Sequence, residues 1–273
     1  LPGNAQKADE PRQEPPAKIR YSTQTLAIVF TDLVGSSSLK SELGIHKVQT
    51  LELEHRQLLL ETLRKIQDIY QDNIAQAVRV EGDSYIFVFS NPGEAVHFAL
   101  LAQRLHREAR LTQGYDLPRF RVGIHTGEVI VEDGLKGSDR PGGIGDIRGL
   151  QADTTARIMS LACGGQILCS HTAFDNARQS LTGTAPEGIP DKIVWKSHGF
   201  YLLKGREGLL EICEVGEKNA APMKKPVGNE KAKQVVSESS KYSKQILIAA
   251  MLLVLGSATF WAYPKIIRFF SGE

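Results

Sequence analysis

Cysteine is scarce in this chain of 273 residues: there are three, Cys163, Cys169 and Cys213. They are scattered and show no CxxC or Cys/His ligand spacing, so neither a disulfide framework nor a zinc motif is written in the sequence. A reducing compartment fits that usage. Charge of one sign is also lacking, because 33 Lys and Arg against 31 Asp and Glu leave a formal net charge of +2. That is too little to argue for a nucleic-acid partner. The first 20 residues lack the basic and apolar regions of a signal peptide. The Gly-rich stretch Gly134 to Gly149 is not a dinucleotide fingerprint, since no GxGxxG opens a helix directly after a strand. It reads instead as a dimer-contacting or flexible arm. The seven histidines form no ligand spacing, and His125, inside a strand pattern, reads as a packed structural residue.

What is present divides into four pieces and a short tail. Residues 1–21, with mixed charges and several prolines, cannot bury enough apolar surface to pack and read as a flexible leader. Residues 22–216 alternate strand-length apolar runs with helix-period segments, the pattern of a mixed α/β or α+β domain long enough for its own core. Residues 217–244, with seven lysines against three glutamates, read as a solvated basic linker. Residues 245–264 carry no charge, and about 20 residues at 1.5 Å rise cross a hydrocarbon core of about 30 Å. This run is expected to be a single transmembrane helix, followed by a tail at 265–273. Trp261 and Tyr263 suit the membrane boundary. Lysines on the linker side, Lys241 and Lys244 nearest, place the domain in the cytoplasm by the positive-inside tendency.

Inside the domain, QTLAIVF (Gln24 to Phe30) reads as a buried strand leading to Asp32, and Gly35 to Gln71 as largely helical. Ile74 to Val80, a tight turn at Glu81 to Asp83, and Tyr85 to Phe89 read as a β-hairpin with Asp83 at its tip. A helix from Pro92 to Arg110, the strand RFRVGIHTGEVIVE, the helix GLQADTTARIMSLA and further strands complete a mixed sheet.

Metal-assisted attack on a phosphate needs two carboxylates fixed close together by rigid backbone. Asp32 and Asp83 are spaced for that, although either alone reads as a turn former or helix cap. Their surroundings are more specific. FTDLVGSS (Phe30 to Ser37), VRVEGD (Val78 to Asp83), RVGIHTGEV (Arg121 to Val129), DIRGLQADTTARI (Asp146 to Ile158) and YLLKG (Tyr201 to Gly205) follow one another in the order and spacing of the class III adenylate and guanylate cyclases. The chain resembles that family over roughly residues 22–216.

The resemblance implies an α+β, ferredoxin-like, palm-type sandwich. It also implies a reaction in which a nucleoside triphosphate is cyclised with loss of pyrophosphate. Asp32, Asp83 and the backbone carbonyl of Leu33 would hold two Mg²⁺ or Mn²⁺ ions per site, oxygen ligands suited to hard cations. Val34, Gly35, Ser36 and Ser37 would offer backbone N–H groups to the triphosphate at a helix opening. Arg157 would stabilise charge at the reacting phosphorus, and Lys204 would bind the terminal phosphates. The family's base-selecting positions align with Arg79 and Asp146, and its ribose-orienting Asn with Asp153. An acid there cannot donate a hydrogen bond unless protonated. Family members divide the metal and transition-state residues between two subunits, so the resemblance implies a homodimer with two equivalent interface sites. ATP is the expected substrate and CTP the runner-up. A regulatory pseudo-cyclase, favoured by Asp153, is the main alternative. A palm polymerase or a diguanylate cyclase would share the metal geometry, but neither a GGDEF-like hairpin nor a basic nucleic-acid track is found.

Overall fold

The computed structural model describes residues 20–71, 74–112, 117–133, 144–182 and 186–235. The chain opens with β1 (Tyr21–Leu33), α1 (Ser36–Leu43), α2 (Ile45–Tyr70), the hairpin β2 (Gln76–Glu81) and β3 (Ser84–Phe89), and α3 (Pro92–Thr112). It continues through β4 (Phe120–Asp133), β5 (Ile144–Arg148), α4 (Leu150–Leu161), β6 (Ile167–Ser170), α5 (His171–Ser180), β7 (Ile193–Leu203), β8 (Leu209–Glu217) and β9 (Ala232–Gln234). The strands form one nine-stranded sheet in the order β2-β3-β1-β4-β6-β8-β7-β9, with β5 paired to β4.

The apolar run in β1 sits at the centre of this sheet and is covered on both faces, which is why it reads as continuous rather than alternating. Ala27 and Val29 face a core shared with Leu59 and Ile66 of α2, Phe98 of α3 and Phe174 of α5. Leu26 and Ile28 face the other side, toward Ile147 of β5 and Ala152 of α4. Fully burying a side chain such as Phe87, Phe98 or Phe120 stabilises by roughly 1.5–3 kcal/mol each, and all three are 0% exposed. Helix α4 lies directly on β4, because Gly123 has no side chain. A Cβ there would stand 2.4 Å from the Met159 backbone nitrogen. The helical stretch after β1 is broken once, at Gly44, whose φ of 79° suits glycine.

Two expectations change. Part of the Gly-rich stretch, Ile144–Arg148, is not an arm but strand β5, antiparallel to β4 with Asp146 opposite Glu132. Its extended backbone finds a vacant edge there, and Ile147 is buried. Residues 134–143 lie outside the described residues. The stretch read as a linker from 217 is also part of the compact unit, which runs through Lys233. Its lysines hid the contacts that fix it. Tyr201 Oη donates to the Pro226 carbonyl at 2.9 Å, Met223 N–H to Glu214 at 2.8 Å, and Asn229 Nδ2 to the Ser160 carbonyl at 3.1 Å. No helix among the described residues is long and apolar enough to cross a membrane. The leader and the expected span at 245–264 lie outside those residues.

Candidate active site

The acidic pair is positioned by strand register. Thr31 of β1 stands opposite Tyr85 of β3, so the next step sets Asp32 beside Ser84 and the hairpin tip at Asp83. Ser84 Oγ donates to Asp32 Oδ1 at 2.8 Å. On the other flank Asp32 is paired with Arg121 of β4, whose Nε and Nη2 both donate to Oδ2, at 2.9 and 2.5 Å. Arg121 thus belongs beside the acidic pair although the motif reading treated it as mere strand; only its register opposite Asp32 on the neighbouring strand marks it. Asp83 differs in its partners. Among the described residues its Oδ2 is buried without a hydrogen bond, and a buried carboxylate oxygen left alone is costly unless something cationic reaches it. Asp83 therefore fits a divalent cation through its lone oxygen, whereas both oxygens of Asp32 already accept hydrogen bonds, from Ser84 and Arg121, that a cation would have to displace.

The segment after Leu33 turns sharply. Gly35 has φ 81°, in the left-handed region, and caps α1 without a side-chain bond. Val34 does not present its N–H outward as expected but donates it to the Arg119 carbonyl at 2.9 Å. The N–H groups left free at this helix opening are accordingly those of Gly35, Ser36 and Ser37, in the first turn of the helix. Ser38 Oγ closes the turn onto the Gly35 carbonyl at 2.8 Å.

Arg79 and Asp146 are brought together, 67 residues apart in the chain. Arg79 Nη2 donates to Asp146 Oδ1 at 2.7 Å and to Oδ2 at 2.6 Å, and also to the Ile147 carbonyl at 3.3 Å. Asp146 Oδ1 further accepts the Ile147 N–H at 2.8 Å. The two expected base readers thus form an ion pair with each other.

The third group rides on α4 and the end of β7. Arg157 faces the turn after β7, where a Cβ on Gly205 would sit 3.5 Å from Arg157 Nη2. Arg157 Nη1 is buried without a hydrogen-bond partner. Lys204, next to Gly205, has an exposed side chain, while its backbone N–H donates to the Lys231 carbonyl at 2.8 Å. Asp153 is exposed in the first turn of α4, one turn before Arg157 on the same side of the helix. Among the described residues no hydrogen bond or ion pair links Arg157 or Lys204 to Asp32 or Asp83. The site of one chain is thus present as separate groups.

His125 is structural, as read. It is buried, with Nδ1 2.8 Å from Ser170 Oγ and Nε2 2.7 Å from Gln151 Oε1, and so ties β4 to α4 and to the start of α5. Burial lowers its pKa below the ordinary histidine value.

A mixed sheet of this order, with an acidic pair where β1 meets the β2–β3 hairpin and an arginine on the helix packed across β4, defines a nucleotidyl cyclase domain. The chain belongs to the adenylate and guanylate cyclase catalytic domain family, whose model matches residues 19–207. That membership gives it the general activity of a nucleotide cyclase. Solved structures agree in fold. The adenylyl cyclase CyaB from P. aeruginosa is 21% identical, with a TM-score of 0.54, the match covering 77% of this chain and 100% of that one. The guanylate cyclase domain of RhGC from Catenaria anguillulae, in complex with GTP, is 22% identical with a TM-score of 0.51, covering 73% and 98%. The non-canonical dimeric guanylyl cyclase domain of the RhoGC fusion protein from Blastocladiella emersonii is 17% identical with a TM-score of 0.51, covering 73% and 98%. Comparison with curated protein sequences finds no match.

Proposed function

We propose that this protein converts ATP to a 3′,5′-cyclic nucleotide and pyrophosphate at sites shared between two copies of the chain. The observation that carries this reading is the buried, unpartnered carboxylate oxygen of Asp83 next to the Asp32 strand end. Two Mg²⁺ or Mn²⁺ ions held by Asp32, Asp83 and the Leu33 carbonyl would neutralise charge at the nucleophile and the leaving group. In the reaction the ribose 3′ hydroxyl gives its proton to solvent as its oxygen bonds to the α-phosphorus, the bond to the β-phosphate oxygen breaks, and pyrophosphate leaves with the electron pair. Arg157 supplies donors to the reacting phosphoryl group, Lys204 neutralises the terminal phosphates, and the first turn of α1 orients the chain of phosphates. Arg157 and Lys204 make no hydrogen bond or ion pair with the acidic pair among the described residues, which fits a site completed by a second copy of the chain, and a similar domain described as a non-canonical dimer supports pairing without indicating its arrangement.

Arg79 and Asp146 are read as the base contacts. Arg79 only donates and ionised Asp146 only accepts, an order that adenine answers with ring N1 and its exocyclic amine. Cytosine offers the same order, so CTP is the second substrate to test. A regulatory pseudo-cyclase is the alternative, favoured by the acid Asp153 one turn from Arg157. The uncharged run 245–264 would anchor the chain as a single-pass membrane protein with the domain in the cytoplasm. Release of the full chain from membranes by high salt alone would contradict that anchoring.

The deciding experiment incubates the full-length chain and its Asp83→Asn variant with Mn²⁺ and each of four nucleoside triphosphates, followed by mass spectrometry of the products. Cyclic AMP from the wild type and at least about a hundredfold less from Asp83→Asn is expected. No cyclic product from any triphosphate, with all four still bound, would establish the pseudo-cyclase instead.

A further inference from the structure

The sequence shows no metal-ligand spacing around its cysteines, yet the fold assembles a mixed donor set on the sheet face covered by α3 and α5. Glu211 and Cys213 lie two apart on β8 and so share a face. His171, the first residue of α5, meets both. Its Nδ1 stands 3.3 Å from Glu211 Oε2 and 4.0 Å from Cys213 Sγ, and the three ligand atoms all lie within 4.8 Å of one another. A tetrahedral centre with metal–N and metal–O bonds near 2.0 Å and a metal–S bond near 2.3 Å has N···O edges of about 3.3 Å and N···S edges of about 3.5 Å. The observed distances match the first and need a shift of about half an ångström for the second.

An ordinary ion pair joins His171 and Glu211, and the thiol makes weak hydrogen bonds to His171 Nδ1 and Ser197, whereas a single cation would be shared by all three donors at once. Supporting groups hold the donors in place. Ser197 Oγ donates to Glu211 Oε1, and the His171 ring lies against Phe174, centroids 6.4 Å apart, which in turn packs edge-on against Trp195. Cys213 is fully buried, while the His171 side chain is 56% exposed, leaving one side open to solvent or a fourth ligand. An N, O and S donor set suits a borderline-soft cation rather than Mg²⁺.

We propose that His171, Glu211 and Cys213 bind a divalent cation of the Zn²⁺ class at a site separate from the Asp32 and Asp83 pair. The thiol gives its proton to solvent as the sulfur–metal bond forms. The ion staples the first turn of α5 to β8. Ser170, the residue before His171, caps that helix and bonds His125, so occupancy steadies the contact that runs on to Gln151 of α4.

The test uses Co²⁺ as a spectroscopic stand-in on the full-length chain. One equivalent is expected to produce a near-ultraviolet thiolate-to-cobalt band that Zn²⁺ abolishes, that persists in Cys163→Ser and that vanishes in Cys213→Ser. Ions bound at Asp32 and Asp83 give no such band, so this outcome is independent of the cyclase reading. His171→Ala, at an exposed position that folding tolerates, should weaken Zn²⁺ binding by at least about tenfold. That variant decides the matter if Cys213→Ser does not fold. Absence of the band, a band that follows Cys163, or unchanged Zn²⁺ affinity in His171→Ala would overturn the proposal.

Discussion

The Arg121 and Asp32 pair offers a direct measurement of how the acidic site is held. Arg121→Gln keeps one neutral donor, reaching only as far as the arginine Nε, and removes the charge and the second hydrogen bond. Side-chain exposures of 29% and 15% put the pair between the surface and the deep interior. Exposed pairs are worth about 0–1 kcal/mol, and breaking a buried one costs about 3–5 kcal/mol. A loss of about 2 kcal/mol is therefore expected, in line with hydrogen bonds to charged groups. For a domain of this size that lowers Tm by roughly 4–8 °C. A double-mutant cycle with Asp32→Asn, read by urea unfolding, should return a coupling of about 2 kcal/mol. Mn²⁺ should restore more stability to Arg121→Gln than to the wild type, because only the variant leaves the Asp32 charge without its guanidinium. A coupling below about 0.5 kcal/mol would show that Arg121 does not hold Asp32.

Mixing Asp32→Ala with Arg157→Ala chains should restore activity to about a quarter of the wild-type level, since random pairing makes half the dimers mixed and each mixed dimer has one intact site of two; no rescue would argue against a shared site. Arg79→Glu is expected to lower kcat/KM for ATP and CTP more than for GTP and UTP by reversing the hydrogen-bond order, and a wild-type preference for GTP or UTP would refute the assigned base contacts. Three buried histidines predict acid lability. Burial lowers His55 to about 3 and His97 and His106 to about 4. Each is neutral in the fold and protonates near 6.5 once unfolded, so the unfolded state binds more protons below that pH. Stability is intact above about pH 6.5 and is lost as pH falls toward 4, by up to about 1.4 kcal/mol per histidine per pH unit. A urea midpoint that stays flat from pH 6.5 to 4.5 would contradict this.

The parts of the site that lie within one motif were legible in the sequence. Asp32 and Asp83 could be placed because a strand end and a hairpin tip are local features, fixed by apolar periodicity and by Gly82, whose φ of 62° turns the chain. What joins distant strands was not legible. Arg121 reaches Asp32 across a separation of 89 residues, and no local pattern distinguishes it from any strand arginine. The pairing of Arg79 with Asp146 depends on β5 folding back along β4, hidden under a glycine-rich composition that reads as loop. Composition misled again after Glu217, where lysines suggested solvent while Ala232 is 1% exposed. The cation cluster was invisible for the same reason, since its ligands come from two elements and the chain between them carries no ligand pattern.

The segment from Met223 to Lys231 touches the elements that carry Arg157 and Lys204: Asn229 grips Ser160, three residues after Arg157, and the Lys231 carbonyl holds the N–H of Lys204. Glu214, at 0% exposure, is bonded to His198, Gln166 and the Met223 N–H, so the same stretch closes over an acid sealed inside the sheet. A chain cut where the motif resemblance ends would keep Asp32, Asp83, Arg157 and Lys204, yet strip the wrapping from a buried acid and loosen the two elements that carry Arg157 and Lys204. The packed edge of this domain thus lies beyond the edge of its motifs.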